Sequence, residues 1–256
     1  MGSIEVSGPR TAPERIEGVR ADWNLRRYGG THMREAPVVH GPPDTPSGLV
    51  LWLHGLGASG HDFDPVIPIL GRPDLRFVLP HAPVRPVTLN GGFPMRAWYD
   101  IRHLGPGPDR EPESDVRDTN RLLGALLRQQ QAATGVPWNR IVVVGFSQGG
   151  AMAYHMGLRW PERLAGIAAL STYLVIEDAL AGELSAAATT PSPLPVFVAH
   201  GTDDATVPRS RGAAAHRQLQ ALGLTPEWHE YPMGHEVCMD ELDELRGWLT
   251  DVLPPT

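Results

Sequence analysis

The sequence has little cysteine and little clustered positive charge. Cys238 is the only cysteine among 256 residues, which excludes an intramolecular disulfide and a cysteine-based zinc site and fits a reducing compartment. The 22 Lys and Arg residues are scattered and stand against 29 Asp and Glu, for a formal net charge of −7. A chain of this kind lacks the basic patch through which proteins bind nucleic acid. We therefore predict no nucleic-acid partner.

Long apolar runs are also missing. The longest, residues 48–53 and 141–146, are far shorter than the ~20 residues of a membrane-spanning helix. We predict no membrane span and, because the first residues lack the apolar stretch of a secretory signal, a cytoplasmic location. Residues 1–32, rich in Arg, Gly and Pro, are predicted to be an N-terminal extension, either a leader added in cloning or a region upstream of an alternative start at Met33. Residues 33–256 are predicted to form the domain.

The domain alternates between two hydrophobic periodicities. Short apolar runs without clean alternation, typical of strands buried on both faces, occur at residues 49–53, 77–79, 141–144, 167–170 and 196–198. Helical spacing separates or follows them at residues 114–131, 208–222 and 241–253. This order predicts an α/β fold with a mostly parallel sheet covered by helices on both faces. Residues 80–113, rich in proline and aromatics, show no periodic structure and are predicted to be a functional loop.

The strongest chemical signal is Gly-Phe-Ser-Gln-Gly at residues 145–149. It follows an apolar strand directly and precedes small residues that can open a helix. This is the context of the nucleophile elbow, a strained turn that presents a serine above the edge of a sheet. Glycines beside the serine let neighbouring backbone approach closely. We therefore predict that Ser147 is a nucleophile.

A serine nucleophile needs a base and an acid that orients the base, in the chain order Ser, Asp or Glu, His. His235 follows the candidate strand at residues 227–231 and is our predicted base. Asp203 and Asp204 both follow the strand at residues 196–198, and spacing alone does not choose between them. The oxyanion donors are predicted to be the backbone N–H groups of Gln148 and of Leu56, in the glycine-rich loop at residues 53–57.

Together these residues make the chain similar to the phospholipase/carboxylesterase branch of the α/β-hydrolases, which includes carboxylesterases and acyl-protein thioesterases. The resemblance is carried by segments at residues 52–57, 80–83, 98–101, 145–150, 200–204 and 233–235. It implies the α/β-hydrolase fold without a large separate cap domain. It also implies Ser147 as nucleophile, Asp204 as acid, His235 as base, and no cofactor or metal. The extension and the proline-rich insertion at residues 105–112 depart from the family pattern.

From these features we expect a serine carboxylesterase that hydrolyses short- to medium-chain esters through an acyl-enzyme. The alternatives are an acyl-protein thioesterase or lysophospholipase for long acyl chains, and a non-catalytic ligand-binding relative. The substrate is predicted to be a small ester, and the oligomeric state stays open, a homodimer included. Aromatic and apolar residues near the expected site are candidates for the wall of the acyl pocket: Leu56, Phe93, Trp98, Tyr99, Tyr173 and Leu174.

Overall fold

A computed structural model describes residues 35–105 and 109–256; the predicted extension at residues 1–32 lies outside them. The strands are β1 (Val38–His40), β2 (Gly48–Leu53), β3 (Leu75–Leu79), β4 (Val84–Val87), β5 (Phe93–Arg96), β6 (Ile141–Phe146), β7 (Gly166–Leu170), β8 (Val196–Gly201) and β9 (Glu227–Tyr231). The α-helices are α1 (Val66–Ile69), α2 (Glu113–Thr134), α3 (Gln148–Leu158), α4 (Glu177–Glu183), α5 (Ala186–Thr189), α6 (Arg209–Ala221) and α7 (Met239–Val252). None of the helices in these ranges is long and apolar enough to cross a membrane.

Seven strands form the central sheet, in the order β1-β3-β2-β6-β7-β8-β9. Every neighbouring pair is parallel except β1 with β3. Helices α2, α3 and α6 pack on one face, and α1 and α7 pack on the other. The predicted α/β-hydrolase fold is confirmed.

Side chains of the central strands alternate between the two helical layers. In β2, Leu49 and Leu51 enter the core on the α2 side, while Val50 and Trp52 enter the core on the α7 side. Successive residues of a strand point to opposite faces of the sheet. Because both faces are covered, the run is apolar throughout, and this explains the continuous hydrophobic pattern.

The segment at residues 80–113 is more ordered than its sequence predicts. β4 and β5 pair antiparallel as a separate two-stranded sheet. Pro86 and Pro94 face each other across it, and neither can donate a backbone hydrogen bond. The prediction that this segment has no periodic structure was therefore wrong. The prolines misled it, because proline in a sequence normally argues against a strand. The short elements β1, α4 and α5 were not predicted either.

Arg72 anchors the end of the last helix to the sheet. Its nearly buried guanidinium donates to the carbonyls of Leu249 (3.2 Å) and Leu253 (2.7 Å). It also donates twice to Asp74, at 2.8 and 2.7 Å. These hydrogen bonds lower the pKa of Asp74 to about 2. Arg72 therefore adds a second donor to the Leu249 carbonyl, which already accepts from the Leu253 N–H at 2.9 Å, and supplies the described donor for the Leu253 carbonyl just after α7.

We expect Arg72→Ala to lower the free energy of unfolding by about 2–3 kcal/mol, because its charged hydrogen bonds are lost and the buried Leu253 carbonyl loses its described donor. Urea denaturation measures the change. Arg217→Ala is the matched control: Arg217 is exposed on α6, and its replacement should change stability by no more than ~0.5 kcal/mol. Equal stabilities for the two variants would contradict the anchoring role.

Candidate active site

Ser147 occupies a sharp turn between β6 and α3. Its backbone has φ 54° and ψ −120°, a conformation that costs a non-glycine residue ~1–3 kcal/mol. The turn is held on both sides: the Ser147 N–H donates to Leu170 O at 2.9 Å, and the Thr172 hydroxyl donates to Ser147 O at 2.6 Å. Ordered neighbours on β7 and its following loop thus stabilise the strained serine.

Two glycines allow this turn to sit against the sheet. A Cβ on Gly145 would lie 2.2 Å from the Gly149 oxygen, and a Cβ on Gly149 would lie 2.2 Å from the Leu53 oxygen. No side chain fits at either distance. The glycines of the motif are therefore required by the close approach of β2, β6 and α3.

The structure brings Ser147, His235 and Asp204 together. His235 Nε2 lies 2.8 Å from Ser147 Oγ, and His235 Nδ1 lies 2.7 Å from Asp204 Oδ2. The carboxylate accepts only, so the Nδ1 atom carries the proton and Nε2 keeps a lone pair toward the serine hydroxyl. Each side chain follows the carboxyl end of its strand, β6, β8 or β9, and these ends meet at one edge of the parallel sheet.

Asp204 is held more firmly than its neighbour. Its side chain is fully buried, and its Oδ1 accepts from the N–H groups of Thr206 (2.9 Å) and Val207 (2.8 Å). His200 donates to the carbonyl of Val207 at 2.8 Å, which fixes the same loop. Asp203 is exposed. The geometry therefore separates the two carboxylates that spacing alone left equivalent.

The glycine-rich loop after β2 lies beside the serine. A Cβ on Gly55 would sit 3.5 Å from the Cβ of Ser147. Gly57 uses its N–H to donate to Arg96 O at 2.8 Å, and the described hydrogen bonds use neither the Leu56 N–H nor the Gln148 N–H. The first N–H groups of a helix have no acceptor inside it. Leu56 and Gln148 thus offer two unused donors next to Ser147.

The Gln148 side chain ties this loop to the segment that follows β5. Its Oε1 accepts from the Trp98 N–H at 2.8 Å, and its Nε2 donates to Tyr99 O at 2.7 Å. The Trp98 indole in turn donates to His54 O at 2.8 Å. Sequence reasoning predicted a backbone role for Gln148 and missed this side-chain role, because the contact joins residues far apart in the chain.

His54 completes the support of the loop. Its Nδ1–H donates to Gly55 O at 2.7 Å, and its Nε2 accepts from the Ala82 N–H at 3.0 Å. Both contacts need the neutral imidazole, since a proton on Nε2 would face another N–H. Burial lowers the pKa of His54 to about 4, which keeps the ring neutral near pH 7. The sequence prediction also missed the role of His54, although His54 lies inside the glycine-rich loop at residues 53–57.

A cavity of about 350 Å³ opens at Ser147. Most of its walls are apolar, and the charged side chains on them are Asp62, Arg110 and Arg211. Its apolar and aromatic walls come from Leu56, Phe63, Leu89, Ile101, Leu104, Phe146, Tyr173 and Val207. A volume of this size is at the lower end of the range for pockets that bind small molecules.

Only part of the predicted pocket wall lines this cavity. Leu56 and Tyr173 do. Trp98 and Tyr99 are fully buried behind it, because their polar groups and rings fill the core beside the Gln148 side chain. Phe93 is 66% exposed on β5, and Leu174 lines a neighbouring polar cavity of about 630 Å³. The prediction that these four residues line the acyl pocket is therefore wrong, because packing places their side chains in the core, on the surface or in the neighbouring cavity.

The sheet and the serine turn define an α/β-hydrolase. A family model described as Phospholipase/Carboxylesterase matches residues 34–253, and the chain belongs to that family. It is accordingly a hydrolase that acts on ester or thioester bonds.

Named relatives share this family. The chain is 34% identical over 231 residues to acyl-protein thioesterase 1 of Gibberella zeae, covering 87% of this chain and 97% of that protein. It is 36% identical over 219 residues to acyl-protein thioesterase 1 of Neurospora crassa, covering 80% and 86%. Among solved structures it is similar to acyl-protein thioesterase 2 of Zea mays, with a TM-score of 0.75, 28% identity, and coverage of 85% and 98%.

We expect Asp204→Asn to lose most of kcat and Asp203→Asn to stay within about tenfold of the parent. The amide at residue 204 cannot hold the His235 tautomer, a change that costs ~10⁴-fold in a serine protease. The exposed Asp203 acts only through screened charge. Ester hydrolysis is compared at matched circular dichroism. The reverse ranking would move the acid to Asp203.

Proposed function

We propose that the chain is a serine acyl-thioesterase that also cleaves carboxylic esters, with Ser147 as nucleophile, His235 as general base and acid, and Asp204 as the acid that orients His235. The observation that carries the proposal is the Ser147–His235–Asp204 hydrogen-bonded set at the mouth of an apolar cavity. The names of the relatives support the thioester substrate. The lone cysteine supports the cytoplasm as the proposed location.

In the first half of the reaction, His235 Nε2 takes the proton of Ser147 as Oγ attacks the carbonyl carbon of the substrate. The carbonyl oxygen becomes an oxyanion and accepts from the Leu56 and Gln148 N–H groups. The tetrahedral intermediate then collapses. The bond to the leaving sulfur or oxygen breaks, the leaving group takes the proton from His235, and an acyl-serine ester remains.

In the second half, water attacks the acyl-serine carbonyl while His235 Nε2 takes one of its protons. The second tetrahedral intermediate uses the same two N–H donors. Its collapse breaks the bond to Ser147 Oγ, which recovers the proton from His235, and the carboxylic acid leaves. Serine, histidine and aspartate therefore return to their starting states, and no external reductant, oxidant or cofactor enters the balance.

A second candidate is the short- to medium-chain carboxylesterase that the sequence analysis favours. The cavity volume of about 350 Å³ and the guanidinium groups of Arg110 and Arg211 on its wall support it, because an acyl chain is disfavoured where it would desolvate a cation. The two candidates share the chemistry and differ in acyl length and leaving atom. Substrate series distinguish them.

We expect a fluorophosphonate probe to label Ser147 in equal molar amount, and Ser147→Ala to abolish labelling and turnover, since loss of such a nucleophile costs ~10⁶-fold in kcat. Peptide mass spectrometry locates the label. Ser192→Ala, at an exposed serine, is the control and should label normally. Labelling that persists in Ser147→Ala would assign the nucleophile to another residue.

We expect thioesters to be cleaved with higher kcat/KM than oxygen esters of the same acyl chain, with kcat/KM still rising beyond octanoyl. Each methylene that enters an apolar site adds up to ~0.8 kcal/mol, roughly fourfold. The substrates are S-acylated cysteine peptides and O-acylated serine peptides of the same sequence, carrying butanoyl, octanoyl, dodecanoyl and hexadecanoyl chains. A maximum at butanoyl to octanoyl with no preference for sulfur would favour the second candidate.

A further inference from the structure

Two guanidinium groups stack on one aromatic ring at the wall of the active-site cavity. The Cζ atom of Arg211 lies 3.5 Å from the centroid of the Tyr173 ring, and that of Arg110 lies 4.2 Å from it. Arg110, Tyr173 and Arg211 line the same cavity as Ser147. A guanidinium that stacks on an aromatic face keeps the N–H groups of its edge available for a hydrogen-bond acceptor.

The charges of this cluster do not cancel. Arg110 Nε lies 2.7 Å from Glu111 Oε1, and this ion pair offsets one positive charge. Within residues 35–105 and 109–256, no carboxylate lies within ion-pair distance of Arg211. Burial, and next the nearby Arg110, lower the pKa of Arg211, so its charged form is disfavoured as it stands. Arg211 nevertheless stays protonated, because arginine does not lose its proton in proteins.

The ring that carries both cations is fixed from behind. The hydroxyl of Tyr173 lies 3.0 Å from the hydroxyl of Tyr99, and Tyr99 is fully buried. Arg211 itself stands in the first turn of α6, which follows the loop of Asp204. The same loop and helix therefore place the acid of the triad and this cation, which makes their relative position well defined.

The surroundings favour an anion on the Ser147 side of the ring. The neighbouring cavity, which also reaches Arg110, Tyr173 and Arg211, is lined by the carboxylates of Glu111, Glu113, Glu177 and Asp178. On the Ser147 side the one carboxylate among the described lining residues is Asp62, and it already accepts from the N–H and hydroxyl of Ser59 at 3.0 and 2.8 Å. The four carboxylates therefore repel an anion from the neighbouring cavity more strongly than Asp62 repels it from the Ser147 cavity.

We propose that Arg211, together with Arg110 on the same ring, binds a carboxylate of the substrate, so that the enzyme selects esters or thioesters whose apolar segment ends in a negative charge. Arginine suits this role because its planar fork matches a carboxylate with two hydrogen bonds. The inference rests on the proposed acyl transfer by Ser147 and holds for either candidate function. It names a feature of the substrate that the triad and the oxyanion donors do not determine.

The test compares esters that differ only in one charge. Half p-nitrophenyl esters of succinic, glutaric, adipic and suberic acid carry a free carboxylate, and their methyl esters are the neutral partners. We expect kcat/KM for the acid to exceed that for its methyl ester by at least about tenfold at one chain length. The ratio of the two values should fall at least about tenfold in Arg211→Met and less in Arg211→Lys, which keeps the charge without the fork.

Arg209→Met is the matched control. Arg209 lies on the same helix, is more than half exposed and pairs with Glu230 at 2.6 Å outside the cavity. The Arg209→Met variant removes the same charge from the protein as Arg211→Met does, but from outside the cavity. The ratio of kcat/KM for the acid to that for its methyl ester should therefore stay at the parent value. The proposed subsite would be contradicted if Arg209→Met lowers this ratio as much as Arg211→Met. It would also be contradicted if Arg211→Met lowers kcat/KM equally for the acid and for its methyl ester.

A second pair of substrates locates the charge. The hexanoate ester of 4-hydroxybenzoic acid has its carboxylate on the leaving group, and the hexanoate of methyl 4-hydroxybenzoate is neutral. If only this second pair shows a preference for the acid that depends on Arg211, the recognised carboxylate lies on the leaving group. If only the first series shows it, the recognised carboxylate lies at the end of the acyl chain. No preference in either pair would overturn the proposal.

Binding separates this inference from the catalytic proposal. Ser147→Ala protein is titrated calorimetrically with monomethyl adipate and with dimethyl adipate. Tighter binding of the monoester, lost when Arg211→Met is added, supports the subsite whatever the nucleophile is. If Ser147→Ala abolishes turnover but the two compounds bind equally, the proposed function stands and the anion subsite fails.

Discussion

The close contact between α3 and the end of β2 is the constraint on which the site depends. Gly149 lies so near the carbonyl of Leu53 that a Cβ would be 2.2 Å from it. The close packing of α3 on β2 goes together with the strained turn at Ser147, which has φ 54°. Backbone strain of this kind persists only where surrounding packing determines it. The serine is therefore presented by the fold rather than by its own preference.

The same contact brings the glycine-rich loop after β2 beside the serine, and a chain of hydrogen bonds then fixes the loop. Gln148 holds Trp98, Trp98 holds His54, and His54 holds Gly55. Every member is buried, where hydrogen bonds resist competition from water. Preorganised donors need no rearrangement when negative charge develops, and such donors are the largest single contribution in many acyl-transfer enzymes.

Few charged side chains lie around the Ser147 cavity, and most of those described have a partner of opposite charge or a hydrogen-bond donor. Asp204 accepts hydrogen bonds from two N–H groups and from His235, and Arg110 has Glu111 within ion-pair distance. Arg211 differs because the cation is half-buried on Tyr173 and has an aromatic ring rather than an acid as its described neighbour. Cation–π contact supplies part of the stabilisation that a counter-ion would give. This imbalance distinguishes the Arg211 side of the cavity from its apolar remainder.

Sequence alone determined the features that depend on local pattern. Continuous apolar runs predicted the buried parallel strands, and the order of Ser147 and His235 after strand ends predicted their meeting at one sheet edge, because parallel strands share that edge. The hairpin of β4 and β5 was not predicted, because it contains Pro86 and Pro94 and proline normally argues against a strand. Only tertiary structure turned Asp204 rather than Asp203 toward His235, buried Trp98 and Tyr99 behind the cavity, and stacked Arg211 on Tyr173. These outcomes depend on contacts between distant segments, and side-chain direction at such contacts is decided by packing rather than by spacing along the chain.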